Sequence, residues 1–345
     1  MKAIGEALVA CVVGICAVAA QATVIIDTVP VGNPGNAGEL SGVDAGGYGP
    51  DRICGAVDYT YNIGKYEVTG GQYAAFLNAV AATDTYGLYN PSMDTAVDSY
   101  GCNIKRSGSS GGYTYAVGDG SPTDVANWGN RPVNYVSWGD AARFSNWLHN
   151  GQPTGPQGLS TTEDGSYYLN GATSDAALLA VVRKPGATWA IPTEDEWYKA
   201  AYHKNDGVSG NYWDYPMGSS AVPNNGNPGG DTGNSATFWD GDDTIGSPYW
   251  RTNGGVFGQS DSPYGTYDQG GNVWEWNEAI IGGPWRGLRG GSFGGSDLYL
   301  RASWRSVSFY PTYECSSFGF RVSEVPEPAT LGMLALGLPG VFRRR

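Results

Sequence analysis

The stretch Tyr267-Asp-Gln-Gly-Gly-Asn-Val-Trp-Glu-Trp276 carries more information about fold and binding than any other part of the chain. Within it, the acidic side chains of Asp268 and Glu275 alternate with the main-chain carbonyls of Gly271 and Val273. Ca²⁺ takes about six to eight oxygen ligands from carboxylates and carbonyls, so this alternation favours a bound calcium ion. A solvated turn before a strand is the alternative interpretation.

Upstream of this stretch, three segments predict helix starts. Thr69-Gly-Gly-Gln72 and Thr193-Glu-Asp-Glu196 are capping boxes, in which the Thr hydroxyl and the Gln or Glu side chain each bind the other residue's backbone N–H. Ser137-Trp-Gly-Asp140 predicts a third start, because apolar residues follow it at helical spacing. Short strands are predicted at 59–67, 131–136, 289–293 and 318–322.

Long polar stretches separate these elements. Glycine accounts for 54 of 345 residues, and the segment from Lys204 to Asp261 is dense in Gly, Asn, Asp and Trp. Long ordered loops in a domain are usually functional or braced by a metal. The composition therefore predicts a loop-rich α+β domain and not a helix bundle or a doubly wound sheet.

Charge and chemistry-bearing residues exclude several functions. The net charge of −13 argues against nucleic-acid binding, which depends on Lys and Arg, and suits an extracellular protein that holds divalent cations. With two His and no CxxC motif, neither a zinc site nor a His-based triad is expected. In an oxidising compartment two of Cys54, Cys102 and Cys315 could pair. The sequence favours Cys54 with Cys102 without deciding it.

The N-terminus, residues 1–22, has the pattern of a secretory signal peptide. Lys2 precedes a fourteen-residue apolar run, and Ala20-Gln21-Ala22 offers a cleavage site for signal peptidase. The run is too short for a bilayer, which takes about 20 helical residues.

The C-terminus, residues 325–345, combines Val325-Pro-Glu-Pro328, an apolar run and Arg343-Arg-Arg345. The apolar run could insert transiently into a membrane, with the arginines holding its end on the cytoplasmic side. This tail resembles the PEP-CTERM sorting signal of Gram-negative bacteria, which an exosortase cleaves. Both ends therefore predict export to the cell envelope, the outer surface or the medium.

Six blocks between these ends resemble, in order, the formylglycine-generating enzyme or sulfatase-modifying factor family. The blocks are Ile63–Thr69, Arg131–Trp138, Ile191–Trp197, Tyr267–Trp276, Arg289–Phe293 and Gly319–Arg321. The resemblance implies a C-type-lectin-like α+β fold with low regular secondary structure. It divides the chain into a signal peptide (1–22), an N-terminal extension (23–52), the family domain (53–324) and the sorting tail (325–345).

The resemblance also implies metal ligands. In the family, the positions of Asp268 and Glu275 supply side-chain oxygens to a structural Ca²⁺, and those of Gly271 and Val273 supply carbonyls. A second family calcium site corresponds to 235–243, where Thr237 stands at an expected Asn and the ligand pattern is incomplete.

Family enzymes oxidise a sulfatase cysteine to formylglycine with O₂ and a copper ion held by two thiolates. Gly295 and Leu300 occupy those two cysteine positions, so no copper is expected. Trp274, Ser292 and Arg305 match positions that line the family's substrate groove. Trp274 as a core residue and Arg305 as a buried hydrogen-bond donor are the structural alternatives.

Together these features predict an exported, non-catalytic, calcium-braced domain that binds a surface glycan, such as exopolysaccharide, or a surface protein. Signal peptidase and an exosortase-type enzyme are its expected processing partners. The alternative is a sulfatase-modifying oxidoreductase that uses unrecognised residues.

Overall fold

The structure is a computed structural model that describes residues 23–306 and 308–325. The predicted signal peptide and almost all of the predicted sorting tail lie outside these residues. Over the described ranges, no helix is both long enough and apolar enough to cross a membrane.

Five helices and eleven short strands are separated by long loops. The helices are α1 (Gly70–Val80), α2 (Pro122–Trp128), α3 (Trp138–His149), α4 (Asp175–Leu179) and α5 (Glu194–Tyr202). The strands are β1 (Thr28–Val31), β2 (Glu39–Ser41), β3 (Arg52–Cys54), β4 (Tyr61–Gly64), β5 (Ile104–Ser107), β6 (Thr114–Val117), β7 (Trp189–Ala190), β8 (Trp274–Ile281), β9 (Trp285–Arg289), β10 (Phe318–Gly319) and β11 (Ser323–Glu324). The predicted α+β class with low regular secondary structure is confirmed.

The strands form four small sheets. One has the order β1-β4-β11-β7, a second has the order β10-β8-β9, and two hairpin-like pairs join β2 with β3 and β5 with β6. All pairings are antiparallel except that of β10 with β8. Strands β1 and β2 come from the predicted N-terminal extension, so that segment pairs directly with strands of the family domain.

The three predicted helix starts are confirmed. Capping boxes begin α1, α3 and α5 at Thr69, Ser137 and Thr193, each with both reciprocal side-chain-to-backbone bonds. The apolar faces of α1 and α3 meet in the main core, where Tyr73, Phe76, Phe144, Trp147 and Phe320 pack with ring centroids 5.3–6.5 Å apart.

The strand predictions are correct only in part. The strand predicted at 289–293 ends at Arg289, because Gly290 and Gly291 turn the backbone away with φ of 98° and 74°. The segment 131–136 makes only an isolated bridge between Pro132 and Thr69, since proline lacks a ladder donor and Tyr135 has a φ of 56°. The predicted loop from 204 to 261 is confirmed: within it the structure has one short 3₁₀ turn and isolated bridges.

The favoured pairing of Cys54 with Cys102 is wrong. Both thiols are free and buried, as is the half-buried thiol of Cys315 free. Cys54 packs beside α5 against Trp197, whereas Cys102 lies in the main core under α1. The two cysteines thus belong to different apolar clusters, which keeps them apart.

Candidate functional site

The loop after β9 occupies the position where the family's copper cysteines would lie. An added Cβ on Gly295 would come within 2.6 Å of the Tyr299 ring. The Leu300 side chain is fully buried in a cluster with Met217 and Phe238. Two thiolates facing one ion are therefore replaced by an aromatic ring and an aliphatic core residue.

The Tyr299 ring belongs to a continuous line of four aromatic side chains, which we call the aromatic row: Tyr48, Trp304, Tyr299 and Trp274. Tyr48 stacks on Trp304 with centroids 5.0 Å apart, Trp304 meets Tyr299 at 4.9 Å, and Tyr299 meets Trp274 at 5.6 Å. Tyr48 is 45% exposed, and the other three rings are partly exposed. The row is therefore an aromatic surface accessible to solvent.

Backbone bonds between distant segments hold the row in place. The Tyr48 carbonyl accepts from the Arg305 N–H at 3.0 Å, and the Tyr48 N–H donates to the Ser303 carbonyl at 3.4 Å. The close approach requires Gly47, since an added Cβ there would lie 2.0 Å from the Ser303 carbonyl oxygen. At the other end, the Trp274 N–H donates to the Ser317 carbonyl at 2.7 Å.

A polar cavity of about 400 Å³ adjoins the Tyr48 end of the row. Its lining includes Asp214, Ser220 and Arg301, together with Ser303 next to Trp304. Arg301 is held in place by the Tyr215 hydroxyl, which accepts from its Nε at 2.9 Å. The cavity thus places hydrogen-bond donors and acceptors beside the aromatic surface.

The three predicted groove residues have different environments. Trp274 is the inner member of the aromatic row. Ser292 is buried, and its carbonyl accepts from the Gly295 N–H at 3.0 Å. Arg305 is buried, and it donates from Nε and Nη2 to both oxygens of Glu194 at 2.8 Å. The structure therefore places only Trp274 on the accessible aromatic surface.

Glu194 is the centre of a buried charge network. Its carboxylate pairs with Arg289 and Arg305, which are buried, and with the partly exposed Arg52. Burial opposes its ionisation, but the arginine charges and hydrogen bonds outweigh this and lower the pKa of Glu194 to about 2. Arg305, Arg52 and Glu194 also line a second cavity of about 570 Å³. We assign Arg305 a structural role in this network.

The predicted calcium ligands lie beside a carboxylate that the sequence analysis missed. Glu67 is buried, and neither of its carboxylate oxygens has a hydrogen-bond partner. Burial, reinforced by the charges of Asp268 and Glu275, raises the pKa of Glu67 well above its usual range. Burial likewise raises the pKa of Asp268 to about 6. The structure thus brings together three carboxyl groups in a desolvated region.

Two of these carboxyl groups do have partners. The Glu275 carboxylate accepts from Nε and Nη2 of Arg321, both at 2.6 Å, and from the Trp197 indole N–H at 2.6 Å. Asp268 accepts from the Gly255 N–H at 2.6 Å. In the part of the chain that the structure describes, no three His, Cys, Asp or Glu side chains converge into a metal cage by themselves. Glu67 has a sequence signal only in retrospect, as the acidic residue in Lys65-Tyr-Glu-Val68.

Comparison with known proteins agrees with this local architecture. Residues 55–325 match the model of the sulfatase-modifying factor enzyme 1-like domain. The chain belongs to this family. Residues 324–345 match the PEP-CTERM protein-sorting motif, so this sulfatase-modifying factor family member is exported to the cell envelope or surface and carries a signal for exosortase-type processing.

Three solved structures are similar to this family member. CarF has 20% sequence identity and a TM-score of 0.49, and the match covers 88% of this chain and 99% of CarF. Treponema denticola variable protein 1 has 20% identity and a TM-score of 0.47, covering 89% and 98%. PvdO from Pseudomonas aeruginosa has 17% identity and a TM-score of 0.44, covering 87% and 94%. No curated protein sequence matches the chain significantly.

Proposed function

We propose that this domain is a non-catalytic binding module and that its aromatic row binds carbohydrate at the cell surface. One observation carries the proposal. The Tyr299 ring lies against Gly295, where a copper-binding side chain would begin, and it connects Trp274 to Trp304 and Tyr48 in one accessible surface.

The chemistry of the row suits a sugar. One face of a pyranose ring presents C–H groups, which pack on an aromatic ring, while hydroxyl groups around its edge need hydrogen-bond partners. Aromatic side chains supply large apolar contact areas in fixed orientations. The adjoining cavity offers the carboxylate of Asp214, the hydroxyl of Ser220 and the guanidinium of Arg301. A few polar groups beside an apolar surface are what orient a ligand in a binding site.

The residues at the former copper position favour binding over oxidation. Soft thiolates select Cu(I), and neither Gly295 nor Leu300 supplies one. Cys54 and Cys102 are buried in separate clusters, and Cys315 lies on another loop. The rival function, a sulfatase-modifying oxidoreductase with unrecognised residues, predicts copper- and O₂-dependent loss of thiol from a Cys-x-Pro-x-Arg peptide. Mass spectrometry of such a reaction would detect it.

We further propose that a structural Ca²⁺ braces the stretch from Asp268 to Glu275. The ligand set would be the carboxylates of Glu67, Asp268 and Glu275 with the carbonyls of Gly271 and Val273. An all-oxygen set of this kind suits a hard cation. The two unpartnered oxygens of Glu67 support the fit, because a buried carboxylate without a partner is costly and a cation would supply one. Bound there, the ion would neutralise the carboxylates and hold the residues that lead into Trp274.

Affinity electrophoresis through gels containing soluble polysaccharides tests the carbohydrate proposal. The wild-type domain should be retarded by at least one neutral polymer among hydroxyethyl cellulose, mixed-linkage β-glucan, galactomannan and dextran. Trp304→Ala should lose the retardation, since it removes the centre of the row. Tyr168→Ala, which removes an exposed aromatic residue outside the row, is the matched control and should migrate like the wild type. Free migration of the wild type in all four gels would refute carbohydrate binding.

A further inference from the structure

A second aromatic surface lies beside the row, formed by Tyr100, Trp250 and Phe293, and we call it the aromatic patch. The Tyr100 and Trp250 rings have centroids 4.7 Å apart, and the Phe293 ring lies 5.9 Å from Tyr100. Tyr100 is 40% exposed and Trp250 is partly exposed. The Trp250 indole N–H donates to the Ser99 carbonyl at 3.0 Å, which fixes the ring's orientation.

The patch and the row meet at the loop that carries the former copper position. Phe293 belongs to the patch, and Gly295, two residues later, lies against Tyr299 of the row. Two residues span at most about 7 Å, so the surfaces are neighbours. Trp239, which is 48% exposed, joins them there: its backbone N–H donates to the Gly295 carbonyl at 2.9 Å.

Gly294, between these contacts, leaves the crossing point open. It is exposed, and an added Cβ would meet no atom within 4 Å. Its φ lies outside the left-handed region, so its backbone is compatible with any residue type. A ligand chain can therefore pass over Gly294 from the row to the patch without meeting a side chain.

Resting on the proposed function, we infer that the row and the patch form one groove that binds a linear, neutral polysaccharide along the interior of its chain. A single sugar ring covers about one aromatic side chain, so a mono- or disaccharide cannot contact Tyr48 and Trp250 together. A polymer can. The net charge of −13 disfavours anionic polymers, because like charges repel a ligand from the protein surface.

This groove predicts that affinity rises with ligand length. Once one part of the chain is held on the row, contact with the patch is intramolecular, and the second contact raises the affinity without any new free partner. An oligosaccharide of about six sugars should therefore bind more tightly than a disaccharide by more than a statistical factor.

Two variants test the crossing. Trp250→Ala removes the centre of the patch, and Gly294→Leu places a side chain in the open space above the loop while leaving both aromatic surfaces intact. For hexasaccharides of the polymer that retards the wild type, both should weaken binding about tenfold in calorimetric titrations, the scale of losing one hot-spot contact. Disaccharide binding should not change. Tyr168→Ala is the control, and thermal melting verifies that each variant is folded.

The outcomes separate this inference from the proposed function. If Trp304→Ala abolishes binding while Trp250→Ala and Gly294→Leu bind hexasaccharide like the wild type, the continuous groove is refuted and the carbohydrate site on the row stands. Equal affinity for disaccharide and hexasaccharide would refute the groove in the same way. Retardation by alginate and by none of the neutral polymers would refute the preference for neutral chains. Absence of retardation in every gel would refute both proposals.

Discussion

Replacing Glu67 with glutamine should change the stability of the protein in opposite directions with and without calcium. Without a cation, Glu67 is a buried carboxyl group with two unpartnered oxygens, near Asp268 and Glu275. Gln has nearly the same shape and removes the ionisable group, so Glu67→Gln should stabilise the calcium-free protein. With calcium, the same substitution removes a ligand and should destabilise the protein relative to the wild type.

The magnitudes follow from desolvation and mass action. An unsatisfied buried polar group costs about 1–3 kcal/mol, and more when charged, so the calcium-free variant should gain on the order of 1 kcal/mol. Calcium at a hundred times its Kd should stabilise the wild type by about 2.7 kcal/mol. For domains of this size range, a change of about 1 kcal/mol shifts Tm by roughly 2–4 °C. The two melting curves should therefore exchange order when calcium replaces chelator.

Differential scanning fluorimetry in chelator and in millimolar CaCl₂ measures this exchange. Glu163→Gln is the matched control: Glu163 is equally buried but pairs with Arg143, with Oε1 2.7 Å from the Arg143 Nε. It should lower Tm by the same amount in both buffers, because it leaves a buried arginine unpaired whatever the calcium concentration. An identical calcium-induced shift in the wild type and Glu67→Gln would refute Glu67 as a ligand. A wild type whose Tm ignores calcium would refute the site itself.

Three further substitutions test the rest of the structure. Gly295→Cys combined with Leu300→Cys should produce no copper-dependent peptide oxidation and should lower the free energy of unfolding in urea by about 1–3 kcal/mol, because the new Cβ at 295 meets Tyr299; adding Tyr299→Ala should recover part of that loss. The pKa of Glu194 is lowered from 4.5 to about 2, so its contribution to stability is complete above pH 4.5 and is lost as the pH falls toward 2. Glu194→Gln should therefore lower Tm at pH 7 and flatten the fall in Tm between pH 4.5 and 2, and an unchanged acid profile would contradict this. Thr69→Ala should reduce the urea unfolding free energy by about 1 kcal/mol through loss of the α1 cap, and a change below a few tenths would show that the cap is dispensable.

Local chemistry explains which parts of the fold could be predicted. The α1, α3 and α5 starts depend on side-chain-to-backbone bonds that span three residues, so Thr69, Ser137 and Thr193 were sufficient to place them. Strand ends were predicted less well, because pairing partners and positive φ angles decide them. The strand through Arg289 stops at Gly290 for the second reason.

The candidate site divides in a similar way. The sequence identified Asp268, Glu275 and Trp274, which share one short stretch with a recognisable pattern. It did not identify Glu67, about two hundred residues upstream, because nothing local distinguishes this residue from any other carboxylate in a strand-like segment. It also assigned Arg305 to the groove, whereas the buried charge of Glu194 holds that guanidinium in the interior.

The sequence by itself determined the export signals, the loop-rich α+β class, the capped helices and the loss of both copper cysteines. Each of these is encoded by adjacent residues or by composition. Only the tertiary structure decided what replaced the copper site: Tyr48, Trp274, Tyr299 and Trp304 come from separate segments and become one surface through long-range packing. Such contacts depend on where the whole chain brings its side chains, and a linear motif records only the residues next to it.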